Sequence, residues 1–177
     1  PTNCCPPRHP ERTPACAVSS LSTCLCFDYE AEDAVAFYAA VFGDDCRVDG
    51  LTRCGENEIG GAAGSVRTVS FVLFGQPCLA VNGGPHFSFN DSVSFVVHCD
   101  TQAEIDRLWT ALTADGGQPV RCGWLKDKFG LPWQIVPRPL GEWMRDADPA
   151  RANRVMHAVL GMVKLDLAAL KRAYEQG

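Results

Sequence analysis

The 177-residue chain is 46% hydrophobic and 21% charged, with a formal net charge of −5, the make-up of an ordinary soluble globular protein. Its acidic balance leaves no basic face to neutralise phosphates, which argues against nucleic acid or an anionic membrane surface as a partner. No apolar run reaches the roughly 18 residues needed to cross a bilayer, and the length suits one domain or two small halves around a real core.

The chain opens with "PTNCCPPRHPERTPACAVSS", where four of the first ten residues are proline. No hydrophobic period runs through it and it has no apolar stretch of a secretory leader, so residues 1–20 are expected to form an extended or disordered arm. Cys4, Cys5 and His9 could catch a metal there only adventitiously. Ten cysteines are unusual for this length, yet no two form a C-x-x-C pair, so zinc and dithiol-redox signatures are absent. Seven of them, Cys24, Cys26, Cys46, Cys54, Cys78, Cys99 and Cys122, lie in segments that read as strands or their edges and are expected as reduced thiols packed like small apolar side chains, which implies a cytoplasmic setting.

From Leu21 a β-type run leads to Asp28, and the segment after it places Ala34, Val35, Tyr38, Val41 and Phe42 on one helical face, closed by Gly43. Strand-like runs follow at about 46–53, 66–74 and 77–81, with a hairpin turn at "FGQP". The pattern then restarts. "SVSFVVHCDTQAEIDRLWTALTADGG" is again a strand, an Asp that opens a helix, and an apolar stripe of Ile105, Leu108, Trp109 and Leu112. Laying Asp28 on Asp100 also matches Ala31 with Ala103, Glu32 with Glu104 and Phe37 with Trp109, a constant offset of 72 residues. That is an internal duplication. "QPVRC" and "LPWQIVP" complete the second half as strands joined by a turn at "KDKFG".

The expected fold is therefore α+β: two duplicated βαβββ modules forming a curved mixed sheet, over about 21–83 and 93–137. They pair edge to edge or clasp, so that the domain spans 21–137. A helical extension over 138–177 supplies two further helices. Asp148 caps the first with Pro149 at its first position, and Asp166 starts the second.

The segments "CLCFDYEAEDAVAFYAAVFG", "GQPCLAVNGGPHFSFNDSVSF", "CGWLKDKFGLPWQIVP" and "DPARANRVMHAVLGMVKLDLAALKRAY" resemble the PhnB-like branch of the vicinal oxygen chelate superfamily. That superfamily includes glyoxalase I, bleomycin-resistance proteins and extradiol dioxygenases, and the branch often carries the label 3-demethylubiquinone-9 3-methyltransferase. The resemblance covers about Leu21 to Tyr174 and implies a homodimer with a ligand cavity between sheets. It also implies a divalent metal held by four His, Glu or Gln side chains. Carried over by position, those ligands fall on Leu21, Val93, Cys78 and Gln134, of which only Gln134 offers a side-chain oxygen. One amide and one thiol do not hold a hard or borderline ion, so no metal and no other cofactor is expected.

His86, behind the Gly-Gly-Pro turn in "VNGGPHFSFNDSVSF", is the candidate acid–base residue. Beside it stands the reading that it merely packs the connection between the halves. Arg53, Cys78, Asn82, Phe89, Trp124 and Gln134 are the candidate ligand-binding residues, with Phe87 as a further apolar wall. Each has a plainer reading: a surface charge for Arg53, a turn's backbone partner for Asn82, core aromatics for Trp124 and Trp133. His98 and His157 are expected to be structural. The leading function is binding of a small apolar or aromatic molecule. Metal-dependent lyase or dioxygenase action and methyl transfer are the alternatives, although "IGGAAGS" at 59–65 precedes a strand rather than a helix and makes a poor cofactor loop.

Overall fold

The computed structural model describes residues 20–56 and 61–176. All of the proline-rich arm except Ser20, with Cys4, Cys5 and His9, lies outside the described residues, as do the first two residues of "IGGAAGS".

The first half runs β1 (Thr23–Phe27), α1 (Ala31–Phe42), β2 (Cys46–Arg53), β3 (Val66–Leu73) and β4 (Gln76–Asn82). The second runs β5 (Phe95–Cys99), α2 (Gln102–Leu112), β6 (Gln118–Pro119), β7 (Trp124–Lys126) and β8 (Pro132–Pro137). Each half builds a four-stranded mixed sheet of identical topology, β1-β4-β3-β2 and β5-β8-β7-β6, with β1 parallel to β4 and β5 parallel to β8. The α+β class and the duplication read from the sequence both hold. The two sheets are separate, so the halves clasp rather than join edge to edge.

The burial pattern shows how. Leu25, Ala80, Val69, Phe71 and Cys78 are in cross-strand register and all buried, so they form the face of the first sheet that α1 covers. In α1, Ala31, Ala34, Val35, Tyr38, Val41 and Phe42 are buried. Its far side meets the second half. Trp133 of β8, fully buried, lies 5.5 Å from the Tyr38 ring, 5.2 Å from Phe42 and 5.2 Å from Phe95. Arg107 of α2 donates to the Val41 carbonyl at 2.8 Å. One continuous core therefore spans both modules.

Several local details differ from the sequence reading. Asp100 does not open α2. Thr101 is the N-cap, reciprocated by Glu104 in a capping box, and Asp100 instead forms a two-pronged ion pair with Arg138. The "QPVRC" run contributes only two strand residues, and Trp124–Lys126, which the sequence reading did not assign as a strand, is one. The "FGQP" hairpin turns on Phe74 and Gly75, whose φ values of 49° and 78° are those of a tight primed turn. Packing of the Phe74 ring on Phe42, centroids 5.4 Å apart, offsets the cost of a bulky residue there.

Beyond β8 come a short helix, α3 (Leu140–Trp143), then α4 (Pro149–Leu160) and α5 (Leu167–Glu175). Asp148 caps α4 through the Ala150 amide with Pro149 at N1, and Asp166 caps α5 through the Ala169 amide. This tail has a small core of its own against β8, made of Val136, Val155, Val159, Leu165 and Leu170, with Trp143 stacked on Tyr174. The expected pair of C-terminal helices is present, and α3 is an addition too short for periodicity to reveal.

Candidate functional site

The connection between the halves starts where β4 ends. Gly83 and Gly84 donate to the carbonyls of Phe27 and Asp28, at 2.8 and 3.1 Å, which pins the linker to the end of β1. Of the two, the backbone itself requires Gly84. A Cβ on Gly83 would meet the Phe87 ring at 2.9 Å, and Gly84 sits at φ 79° in the left-handed region. The missing side chain of Gly83 is what lets Phe87 fold back over the backbone.

That fold-back makes one wall of a cleft of about 310 Å³ between the halves. Cys26, Phe27, Asp28 and Glu30 line it from the end of β1, Phe87, Ser88 and Phe89 from the linker, and Lys128, Phe129 and Gly130 from the β7–β8 turn. The rings are arranged edge to face: Phe27 lies 5.2 Å from Phe89 and 6.0 Å from Phe129. The Lys128 ammonium rests over Phe37 and Phe129, 4.7 and 5.4 Å from their centroids. Four phenylalanine rings line it, but more of its exposed surface is polar than apolar, and it carries one cation against two carboxylates.

Of the residues singled out from sequence, Phe87 and Phe89 lie in this cleft and His86 sits in the exposed turn immediately before Phe87. The rest are elsewhere. Arg53 is exposed at the end of β2, donating to the Gly64 carbonyl at 3.1 Å and lying 3.8 Å from Glu32. Asn82 is committed to backbone: its Oδ1 accepts from the Ala31 amide at 2.9 Å and its Nδ2 donates to the Val66 carbonyl at 2.9 Å. It thereby starts α1, whose own N-cap, Glu30, makes no side-chain cap. Cys78 is buried under α1 on the covered face of the first sheet, where burial pushes its thiol pKa up. Trp124 and Gln134 pair in register on the opposite face of β7 and β8 from the core, and Gln134 donates to Ser94 at 2.9 Å. His98 is exposed on β5, and His157 is exposed in the last turn of α4.

The four positions of the superfamily's metal do not fit a divalent ion. Leu21 and Val93 are apolar and 81% and 76% exposed, while Cys78 faces α1 and Gln134 faces away from the core. Among the described residues, no three His, Cys, Asp or Glu side chains gather in a metal-holding group.

A second opening of about 290 Å³ lies between the β3–β4 hairpin and β5, lined by Phe74, Phe95, His98 and Arg138 among others. Its cation is already spent, because Arg138 is paired with Asp100 and holds that carboxyl below its usual range. The aromatic cleft is therefore the better candidate. Sequence reasoning missed Phe27, Phe129 and Lys128 as its lining, since "KDKFG" reads only as a turn. It also missed Asp127, the only charged residue buried among the described residues. Asp127 Oδ2 accepts from the Tyr38 hydroxyl and Trp133 Nε1, both at 2.9 Å, and Oδ1 accepts from the amides of Phe129 and Leu131. It fixes the turn that presents Phe129 and Lys128 to the cleft.

Against known proteins, residues 19–136 match the family described as 3-demethylubiquinone-9 3-methyltransferase. A PhnB protein from Bacillus cereus is 30% identical and superposes with a TM-score of 0.59, over 67% of this chain and 99% of that one. The Pseudomonas aeruginosa protein PA1353 shares the fold at 19% identity, with a TM-score of 0.54 over 67% of this chain and 98% of its own. Comparison with curated proteins found no match. The duplicated βαβββ topology, the motif resemblance and these matches agree: the chain belongs to the PhnB-like, 3-demethylubiquinone-9 3-methyltransferase family of the vicinal oxygen chelate superfamily.

Proposed function

We propose that this protein binds a small, neutral, planar aromatic molecule in the cleft between its halves. The observation that carries the reading is the set of four rings, Phe27, Phe87, Phe89 and Phe129, converging from three separate segments on one opening. Aromatic walls favour a flat apolar ligand, and about 310 Å³ sits at the small end of ligand cavities. The rim decides the charge. Lys128 is held over two rings while Asp28 and Glu30 stand free of it, so a carboxylate ligand meets net repulsion. A hydroxyl or carbonyl substituent, by contrast, finds both donors and acceptors. His86, next to Phe87 in the chain, is the group we propose to move a proton on a bound ligand; binding alone does not require it.

Calorimetric titration with 2-naphthol tests this. Binding is expected, weakened about tenfold in Phe89→Ala, a loss of ~1.4 kcal/mol. 2-Naphthoate is expected to bind less well than 2-naphthol, with the gap closing in Asp28→Asn/Glu30→Gln, which leaves the rings untouched. Equal binding of both probes, or no response to either set of variants, overturns the reading.

The same reading includes a homodimer. β1 and β5 are the free inner edges of their sheets, and Leu21 and Val93, one repeat apart, stand exposed just ahead of them. An unpaired edge flanked by an exposed apolar side chain is a pairing site, and β1 of one copy meeting β5 of another satisfies both edges under two-fold symmetry. Light scattering is expected to report a dimer that dissociates in Leu21→Asp/Val93→Asp. A monomeric wild-type protein sinks the idea. Seven unpaired thiols among the described residues, four of them buried, suit a reducing and hence cytoplasmic compartment.

A further inference from the structure

Cys24 and Cys26 alternate with Leu25 and Phe27 along β1. Leu25 and Phe27 are buried under α1, so both cysteines point to the opposite, open face of the sheet. Cys24 is exposed and Cys26 half-buried. In register across the strand pair lie Leu79 and Val81, half-buried and apolar, which give the two sulfurs a floor without oxygen or nitrogen ligands. The thiols are close enough to affect each other. Partial burial, and then the neighbouring Cys26, push the Cys24 thiol pKa up.

A dithiol of this kind can close on itself or on a third atom. Residues two apart in a strand have Cα atoms about 6.6 Å apart, close to the upper limit for a disulfide, so closure would distort β1. Capture of an ion between the sulfurs needs no such change. The number of donors then selects the ion. Zinc wants four ligands and calcium six or more oxygens, whereas among the described residues no third His, Cys, Asp or Glu joins this pair. A soft, monovalent ion content with two thiolates remains, and thiolate ligands favour Cu(I).

We propose that Cys24 and Cys26 form a two-coordinate site for Cu(I) on the open face of β1. Loading is an exchange without redox change: Cu⁺ plus two thiols gives a dithiolate-bound copper of net charge −1 and two protons released to solvent. Cys26 also borders the aromatic cleft, but the site depends on neither the cleft's ligand nor the dimer.

The test is an anaerobic titration of the full chain with Cu(I) in competition with bathocuproine disulfonate. Cys4, Cys5 and Cys16 are changed to serine throughout, so that thiols of the arm do not compete. One equivalent is expected to bind, with thiolate-to-copper absorption in the near ultraviolet. Cys24→Ser and Cys26→Ser should each weaken it by more than about a hundredfold, since changes to groups merely behind metal ligands already cost 10–100-fold. Cys122→Ser should leave it unchanged. Both diagnostic changes swap a thiol for a hydroxyl outside the core, so far-ultraviolet circular dichroism should not move. Binding that survives both variants, or that is lost only with Cys122, overturns the proposal.

Discussion

Replacing Asp127 by alanine is expected to lower the unfolding free energy by about 3–5 kcal/mol, measured by urea denaturation followed through tryptophan fluorescence. The carboxylate is 2% exposed and accepts four hydrogen bonds, two from side chains in different halves and two from its own turn. Alanine leaves the Tyr38 hydroxyl, the Trp133 indole N–H and two amides without acceptors in the interior. Asparagine keeps the volume but offers one acceptor atom and turns an N–H₂ toward donors, so it should recover only part of the loss. Burial raises the Asp127 pKa from its ordinary value, against the opposing pull of Trp133 and Tyr38. A raised folded pKa means that the folded state holds the proton more tightly. This group's contribution is then full below about pH 3.9 and declines as pH rises through the folded value. Tyr38 has the same sign in an alkaline window, since burial and then the Asp127 charge hold its phenol well above the usual value. Stability should fall as pH climbs past about 10, and Tyr38→Phe should flatten that limb. An unchanged alkaline slope in Tyr38→Phe would count against the assigned contact.

The second large effect is expected at Trp133. Its side chain is fully buried and meets Tyr38 and Phe42 of one half and Phe95 of the other. Truncation to alanine should cost about 3–5 kcal/mol, as for other buried aromatics. It also removes one of Asp127's donors, so the two losses overlap. The double variant should be less destabilised than the sum of the singles, with a coupling of about 0.5–3 kcal/mol. Strict additivity would show that the clasp is not one unit.

The elements legible in the sequence were those whose signals are local and long enough to repeat. The 72-residue offset holds because both halves need the same strand, helix and strand order to cover a small sheet. Asp148 with Pro149, and Asp166, announce α4 and α5 through caps that act within three residues. β6 and β7, at two and three residues, are too short to show alternation. The site was harder. Asn82 looks like a turn residue and does serve backbone, but its partners, Ala31 and Val66, lie 51 and 16 residues away. Asp127 bonds its own turn, as a turn aspartate should, and Tyr38 at a separation of 89 residues, which no local pattern encodes. Phe129 and Lys128 reach the cleft only because that distant contact orients their loop. Pairing positions one repeat apart placed Leu21 and Val93 as equivalents, each two residues ahead of its first strand, while the register of β3 and β4 under α1 decided which face of the sheet Cys78 would occupy.

The unequal starts of the two repeated helices bear on the order in which the chain folds. α2 carries its own start signal, the reciprocal bonds of Thr101 and Glu104 three residues apart, so its first turn can form as soon as that segment exists. α1 has no such device, and its first free amide is met by Asn82 at the end of the last strand of its sheet. Closing a 51-residue loop before the first turn of α1 is satisfied is an entropic delay that α2 never meets. The older symmetry of the duplication is thus broken in time as well as in space. The second repeat can begin to fold from local contacts, and the first must finish its sheet before its helix is held at both ends.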